Sequence, residues 1–278
     1  MTDRKKYKVY YFGQVVNVSA SQGRDLEQIL VDDWRMDAGF NVDLLGEKDK
    51  AQTLLRNGVI TEYFAELVAP TRQRRKEVAL HRLDPLLKHL PQLGPFIRET
   101  LVDARLVARK GSEAEDPEAY VVSYLHDFSP ELGLDAGGAM GTWIGGNPRV
   151  VADEKAVPNP LADFFNTVHS FYGTLFDPTA GLCAPYPCPD GDFVPLVEEY
   201  ALEYLKATKL SDLAIVGTSK RFLYEVIFNP WTEDDNAIYA PVGFLEHPVF
   251  TSFADAVECG LVFGMVPKNV QRRFLRGS

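Results

Sequence analysis

Apolar residues along this chain keep two spacings, and each predicts a different kind of element. Residues 7–17, YKVYYFGQVVN, are dense in β-branched and aromatic side chains and predict one or two strands. Leu26, Ile29, Leu30 and Trp34 then fall on one face of a helix over 25–38, and Phe64, Leu67 and Val68 repeat that spacing. Asp84-Pro85 supplies a cap and a first-turn proline for a helix over Leu86–Leu90. Gly94-Pro95 opens another, carrying Ile97 and Leu101 and a basic last turn of Arg105, Arg109 and Lys110, with Gly111 as its stop.

Residues 111–118, GSEAEDPE, have the composition of a linker: glycine, serine, proline and four carboxylates with no large apolar residue. Beyond it, Ala119–Leu125 predicts a strand, and 135–148, DAGGAMGTWIGGNP, a glycine-rich loop around Trp143. Asn159-Pro160 caps a helix with an apolar stripe of Leu161, Phe164, Phe165 and Val168, extended by Phe171. Residues 173–193 predict a loop, and Val194–Thr208 an amphipathic helix. Two strands, Leu213–Val216 and Arg221–Phe228, flank Gly217–Lys220; a turn at 233–236 leads to a third strand, Ala237–Val242, and a last helix begins near Ser252. The expected division is a mainly helical region over 1–118, an acidic α+β domain over 119–270, and a tail over 271–278 whose Arg276-Gly277-Ser278 reads as a cloning scar.

Composition sharpens this picture. With 46% hydrophobic and 24% charged residues in 278, the chain buries a sizeable core. No run approaches the ~18 apolar residues of a membrane helix, and the polar start Met1–Lys6 precedes a strand-like segment and no apolar signal core, so a cytoplasmic location is expected. Three cysteines, Cys183, Cys188 and Cys259, do not predict a disulfide framework. Charge is divided unevenly: residues 1–110 are net +4, 111–260 net −18 and 261–278 net +4. A compact segment at −18 repels itself, and that cost is commonly tolerated where the field captures a cationic partner; solubility is the plainer reading. The acidic balance argues against nucleic acid as a partner.

Candidate chemistry is sparse. His126-Asp127 resembles the doublet of metal-dependent HD phosphohydrolases, in which a further His and Asp complete the site, but here it lies where a strand runs into a turn. Cys183-x4-Cys188 lacks a second pair or a nearby histidine, so it is no zinc pattern. His169, beside Val168, reads as a core histidine before it reads as the base of a cysteine nucleophile. Gly137–Gly141 has no following lysine and is no phosphate loop. Arg72-Gln73-Arg74-Arg75-Lys76 is a basic cluster on a predicted helix, read first as a solvated face. Asp190, Asp192, Glu198, Glu199, Glu203, Glu233, Asp234 and Asp235 lack the spacing of a calcium loop and suit a partner-binding surface. Glu199 and Glu203, one turn apart, repel each other by a few tenths of a kcal/mol, about what a basic partner would relieve. No catalytic residue, metal site or cofactor is assigned.

The order of elements over 159–262 resembles the SMI1/KNR4 (SUKH) superfamily. The likeness runs through Asn159–Gly173, a proline-led helix with an aromatic-His-aromatic end, then Gly181–Pro185, Asp212–Phe228 and the Phe-led Phe250–Val257. The chain departs from the family in having His169-Ser170 and a later Gly173 where Asn-Gly or Asp-Gly is common. The resemblance implies a SUKH-like α+β fold, an antiparallel sheet packed with helices, and no catalytic site. It also implies an immunity-type protein that neutralises a cognate bacterial toxin enzyme, often nucleic-acid-directed, whose basic groove an acidic partner occludes. A metal-dependent hydrolase using His126 and Asp127, and a regulatory adaptor, are the alternatives.

Overall fold

A computed structural model describes residues 6–11, 14–19, 25–37, 40–110, 117, 119–135, 137–148, 159–175, 181–183, 186–187, 199–219, 224–232, 234–241 and 249–275. The fold is α+β, with helices packed on antiparallel sheets. The chain forms two compact units. One contains residues 1–83, 95–147 and 266–278, the other 84–94 and 148–265.

The first unit begins with a hairpin, β1 (Lys6–Tyr11) against β2 (Gln14–Ser19), followed by α1 (Leu26–Asp37), β3 (Asn41–Leu44), α2 (Lys48–Arg56) and α3 (Glu62–Glu66). α4 (Arg72–Leu87) keeps Pro85 inside its last turn, so Asp84-Pro85 does not open a helix; Lys88 N–H still reaches the Asp84 carbonyl at 3.1 Å. α5 (Leu93–Thr100) ends where a longer helix was expected, and β4 (Leu101–Lys110) follows directly. The repeat Ile97, Leu101, Arg105, Arg109 has helical spacing, but β4 gains partners on both sides, with β3 at Val42↔Arg109 and with β5 (Ala119–Asp127) at Arg109↔Ala119. Its basic residues serve this arrangement: Arg105 pairs with Glu27, Arg109 lies over the Phe40 ring and Lys110 pairs with Asp43.

That pairing overturns the expected boundary at 118. Residues 111–118 connect two hydrogen-bonded strands of one sheet and do not divide two bodies; all but Pro117 lie outside the described residues. The expected glycine-rich loop is likewise a strand, β6 (Met140–Gly145), paired with β5. Gly141 makes this possible, because a Cβ there would meet the Phe128 ring at 2.7 Å. Buried Trp143, Tyr124, Tyr63 and Phe96 fill the interior, threaded by polar links: Trp34 Nε1 donates to Ser123 Oγ at 2.9 Å, and the Tyr63 and Tyr124 hydroxyls meet at 2.5 Å.

In the second unit α6 (Asn159–Thr167) buries Leu161, Phe164 and Phe165. Phe171 does not extend this helix but starts β7 (Phe171–Thr174), which pairs with β8 (Gly181–Cys183). Gly181, at φ +143°, faces Gly173 so closely that a Cβ would lie 2.3 Å from the Tyr172 carbonyl oxygen. β9 (Tyr186–Pro187) and, after α7 (Glu199–Tyr204), the strands β10 (Ala214–Ser219), β11 (Tyr224–Phe228), β12 (Asn236–Pro241) and β13 (Val249–Ser252) form a sheet ordered β13-β12-β11-β10-β9. Long apolar α8 (Phe253–Met265) packs on it through Phe253, Ala256, Val257 and Leu261. The strands expected over 213–216, 221–228 and 237–242 are present as β10, β11 and β12, but Gly217–Ser219, expected between the first two, extend β10, and residues 220–223 and 242 lie outside the described ones; the helix expected from Ser252 forms as α8. Residues 271–275 are no loose tail: α9 (Arg272–Leu275) belongs to the first unit, with Phe274 edge-on to Phe96 at 5.3 Å and Arg273 paired with Glu99 and Glu131.

Candidate functional site

Three of the four large apolar side chains that stand exposed among the described residues, Trp231, Val249 and Phe250, belong to the second unit, on the β11–β12 turn and on β13. How the backbone brings them there begins with a row of cross-strand neighbours. Ile215 pairs with Ile227, Ile227 with Ile238, and Ile238 with Phe250, so four strands present one apolar line. α7 covers the first three with Ala201 and Leu205. Phe250, at the edge, is 37% exposed and leans edge-on against Tyr204 at 4.9 Å. The Tyr204 hydroxyl donates to the Thr251 carbonyl at 3.1 Å, tying α7 to the edge strand.

α7 ends in a specific turn. Lys206 N–H donates to the Glu203 carbonyl and Ala207 N–H to the Leu202 carbonyl, the two reversed bonds of a left-handed helix stop. Lys206 takes the left-handed position itself, at φ +51°, where glycine is the ordinary occupant. Its ammonium pairs with Asp234 on the β11–β12 turn. Asn229 closes the same corner, its Nδ2 donating to the Leu205 and Lys206 carbonyls at 3.0 and 2.9 Å. The residue in the left-handed position of this turn thus also pairs with an exposed acid.

The same unit exposes carboxylates. Glu203, Asp234, Asp235 and Asp255 are exposed. The Asp235 carbonyl accepts the Phe253 N–H at 2.7 Å, and Ser252 Oγ accepts the Asp255 N–H at 3.1 Å, which caps α8. Partial burial, and then the Asp255 charge, push the Asp235 carboxyl above its ordinary range. Glu258, buried on α8, is raised chiefly by burial although it accepts the Gln92 and Leu93 amides at 2.8 and 2.7 Å at the start of α5. Asp255 Oδ2 lies 3.5 Å from the Thr251 hydroxyl, next in sequence to exposed Phe250. A carboxylate and an apolar side chain are thus close enough at this place for a cationic group to meet both.

The acids expected from sequence divide accordingly. Asp234 pairs with Lys206, the Asp235 carbonyl holds the start of α8, and Glu203 is exposed on α7. Glu199 is the first residue of α7, while Asp190, Asp192, Glu198 and Glu233 lie outside the described residues. Sequence reasoning missed Trp231, Val249, Phe250, Lys206 and Asp255. The alternation Val249-Phe250-Thr251-Ser252 was a readable signal for an exposed strand, whereas nothing local marks Lys206 as left-handed.

The other candidates are engaged elsewhere. His126 is fully buried, beside Trp143 at 4.1 Å and stacked on Phe128. Thr100 Oγ1 donates to the Phe96 carbonyl, which leaves its lone pair for His126 Nδ1–H at 2.9 Å. Burial pushes the His126 pKa down to about 3, so the ring is neutral. Asp127 turns the other way. Its carboxylate accepts Ser129 N–H and Gly137 N–H, each at 2.9 Å, and the Ser129 hydroxyl, which staples the β5–β6 connection. Among the described residues no group of three or more His, Cys, Asp and Glu is placed to hold a metal. His169 is buried after the end of α6, stacked on Tyr172 and edge-on to Phe164. Cys183 ends β8, Cys188 lies outside the described residues, and Cys259 is half-buried. The basic cluster is divided: Arg74 pairs with Glu77 in the open, and Arg75 turns inward to Asp103. No described helix is long and apolar enough to cross a membrane. No protein-family model, curated protein or solved structure matches the chain.

Proposed function

We propose that the protein is an immunity-type binding protein that neutralises a basic bacterial toxin enzyme by covering its active site with the acidic face of the second unit. The observation that carries this reading is the exposed set Trp231, Val249 and Phe250 in a unit that also exposes Glu203, Asp234, Asp235 and Asp255. Long-range attraction from such acids speeds encounter with a basic surface, and exposed aromatic residues supply the anchors that slow release. The net −11 of residues 148–265, which belong to the second unit, and the SUKH-like order of elements support the same assignment.

Co-expression with the product of the adjacent gene in its genome of origin tests it. Growth should be rescued by the intact protein. Binding of the two purified proteins should weaken steeply as salt rises from about 0.01 M to about 1 M, over which the Debye length falls from about 30 to about 3 Å. The variant Trp231→Ala/Phe250→Ala should lose rescue while keeping its melting temperature. Salt-insensitive binding, or undiminished rescue by that variant, would refute the proposal.

A further inference from the structure

We propose that His126 is an acid-sensitive lock in the first unit: the neutral ring closes the core of that unit, and a proton taken up by the ring opens it. His126 stands within a row of aromatic side chains drawn from separate elements. Phe274 of α9 meets Phe96 of α5, Phe96 stacks on Phe128, and Phe128 stacks on His126. On its other side the imidazole lies against Trp143 of β6, with 4.1 Å between the ring centroids. Phe96, Phe128 and Trp143 are buried, and His126 is completely so. A charge placed at this point is felt by every element that contributes a ring to the row.

The two ring nitrogens are treated differently. Nδ1–H donates to Thr100 Oγ1, whose own proton goes to the Phe96 carbonyl. Nε2 is buried and has no hydrogen-bond partner. A bare lone pair tolerates that place, whereas a proton there is an unpaired N–H carrying charge into an aromatic interior. The charged groups around the ring do not compensate it. From α4 the Lys76 ammonium acts on the imidazole and opposes a second positive charge. On α5 Arg98 and Glu99 are exposed, and Glu99 is held, with Glu131, by Arg273 of α9. On β4 the register partner is Leu101, and Asp103 beyond it is taken by Arg75 and Arg105. On β6 the register partner is Gly141. Asp127, next to His126 on β5, gives its carboxylate to Ser129 and Gly137. Burial, then Lys76, therefore hold the ring neutral down to about 3, against the ordinary 6.5.

The unfolded chain takes up this proton near the ordinary value and the folded chain only far below it, so the lock is firm at neutral pH and weakens as pH falls between the two. From pH 7 to pH 5 the unfolding constant should rise about 25-fold through this one group. Urea unfolding of the full-length protein at those two pH values, followed by tryptophan fluorescence, compares the parent with His126→Phe, which keeps a ring and cannot titrate. Trp34 and Trp143, buried in this unit, report its opening. The parent's unfolding constant should rise by about that factor more than the variant's; equal changes would overturn the lock. Where the variant does not fold, nitrogen NMR of the imidazole in the parent decides. The His126 ring should remain neutral at pH 5, with its proton on Nδ1. A ring that titrates near pH 6.5 inside an intact fold would overturn the proposal.

Discussion

Removing the Asp103 carboxylate should destabilise the first unit more than any exposed charge change. Arg75 Nε and Nη2 donate to Asp103 Oδ1 and Oδ2 at 2.8 and 2.7 Å, and Nη1 donates to the Ala69 carbonyl at 2.9 Å. Asp103 Oδ1 also accepts Ala104 N–H at 2.9 Å. Both side chains are almost wholly enclosed, 6% and 5% exposed. A β-bulge between Leu101 and Asp103 sits where β4 carries the carboxylate into this position. The Arg105 guanidinium lies 3.6 Å from the same carboxylate, so Asp103→Ala leaves one buried cation unpaired with another close by. Breaking a buried pair from one side costs about 3–5 kcal/mol, a large share of the 5–15 kcal/mol, roughly, that holds a domain together. Replacing both partners, Arg75→Met with Asp103→Leu, removes the desolvation penalty together with the attraction and should come within about 2 kcal/mol of the parent. Urea unfolding followed by tryptophan fluorescence suits the measurement, because Trp34 and Trp143 are buried in this unit. A loss below about 1 kcal/mol for Asp103→Ala, or a double variant worse than the worse single one, would refute the pair as a stabilising element.

Other substitutions probe single features. Gly181→Ala should cost about 1–3 kcal/mol, since its Cβ would meet the Tyr172 carbonyl at a left-handed φ, whereas Gly46→Ala, with open space around it, should change the melting temperature little. Lys206→Gly exchanges an exposed ion pair worth about 0–1 kcal/mol for an unstrained left-handed turn; thermal melts should show no loss beyond about 1 kcal/mol, and a larger loss would show that the pair to Asp234 outweighs the turn. Glu258 has a carboxyl raised from its ordinary 4.5 by burial, so it favours the folded state most below that value and loses the contribution as pH rises through the folded pKa. Glu258→Gln should flatten this part of the stability–pH curve while keeping an acceptor for Gln92 and Leu93; a curve of unchanged slope in urea melts across the acid range would refute the assignment.

Much of the second unit was legible in the sequence because its signals are local. The stripe of α6, the alternation of β10 to β12 and the apolar run of α8 each arise within a dozen residues and are kept in the fold. What escaped is non-local. Ile97, Leu101, Arg105 and Arg109 have helical spacing, and only the presence of β3 on one side and β5 on the other makes a strand of the last three. The same pairing turns 111–118 from an expected linker into the connection of a hairpin, since glycine, serine, proline and acids serve both uses.

Charge misleads in a related way. A residue count assigns every carboxylate to the surface field, but the fold occupies many of them. Asp127 holds its own turn, and Asp212 accepts the Thr208 hydroxyl and the Thr208 and Lys209 amides, which keeps its carboxyl below the usual range. Glu131 meets Arg273, Glu258 caps α5 from the interior, and Asp234 already has Lys206. Among the described residues, attraction for a basic partner of the second unit therefore comes from fewer acids than a net charge suggests, chiefly Glu203, Asp235 and Asp255. Exposed charges of this kind set the rate of encounter more than the lifetime of a complex. A lasting complex would depend on burying Phe250 and Trp231, so truncating the aromatics should raise the dissociation rate, and neutralising Asp235 and Asp255 should mainly slow association.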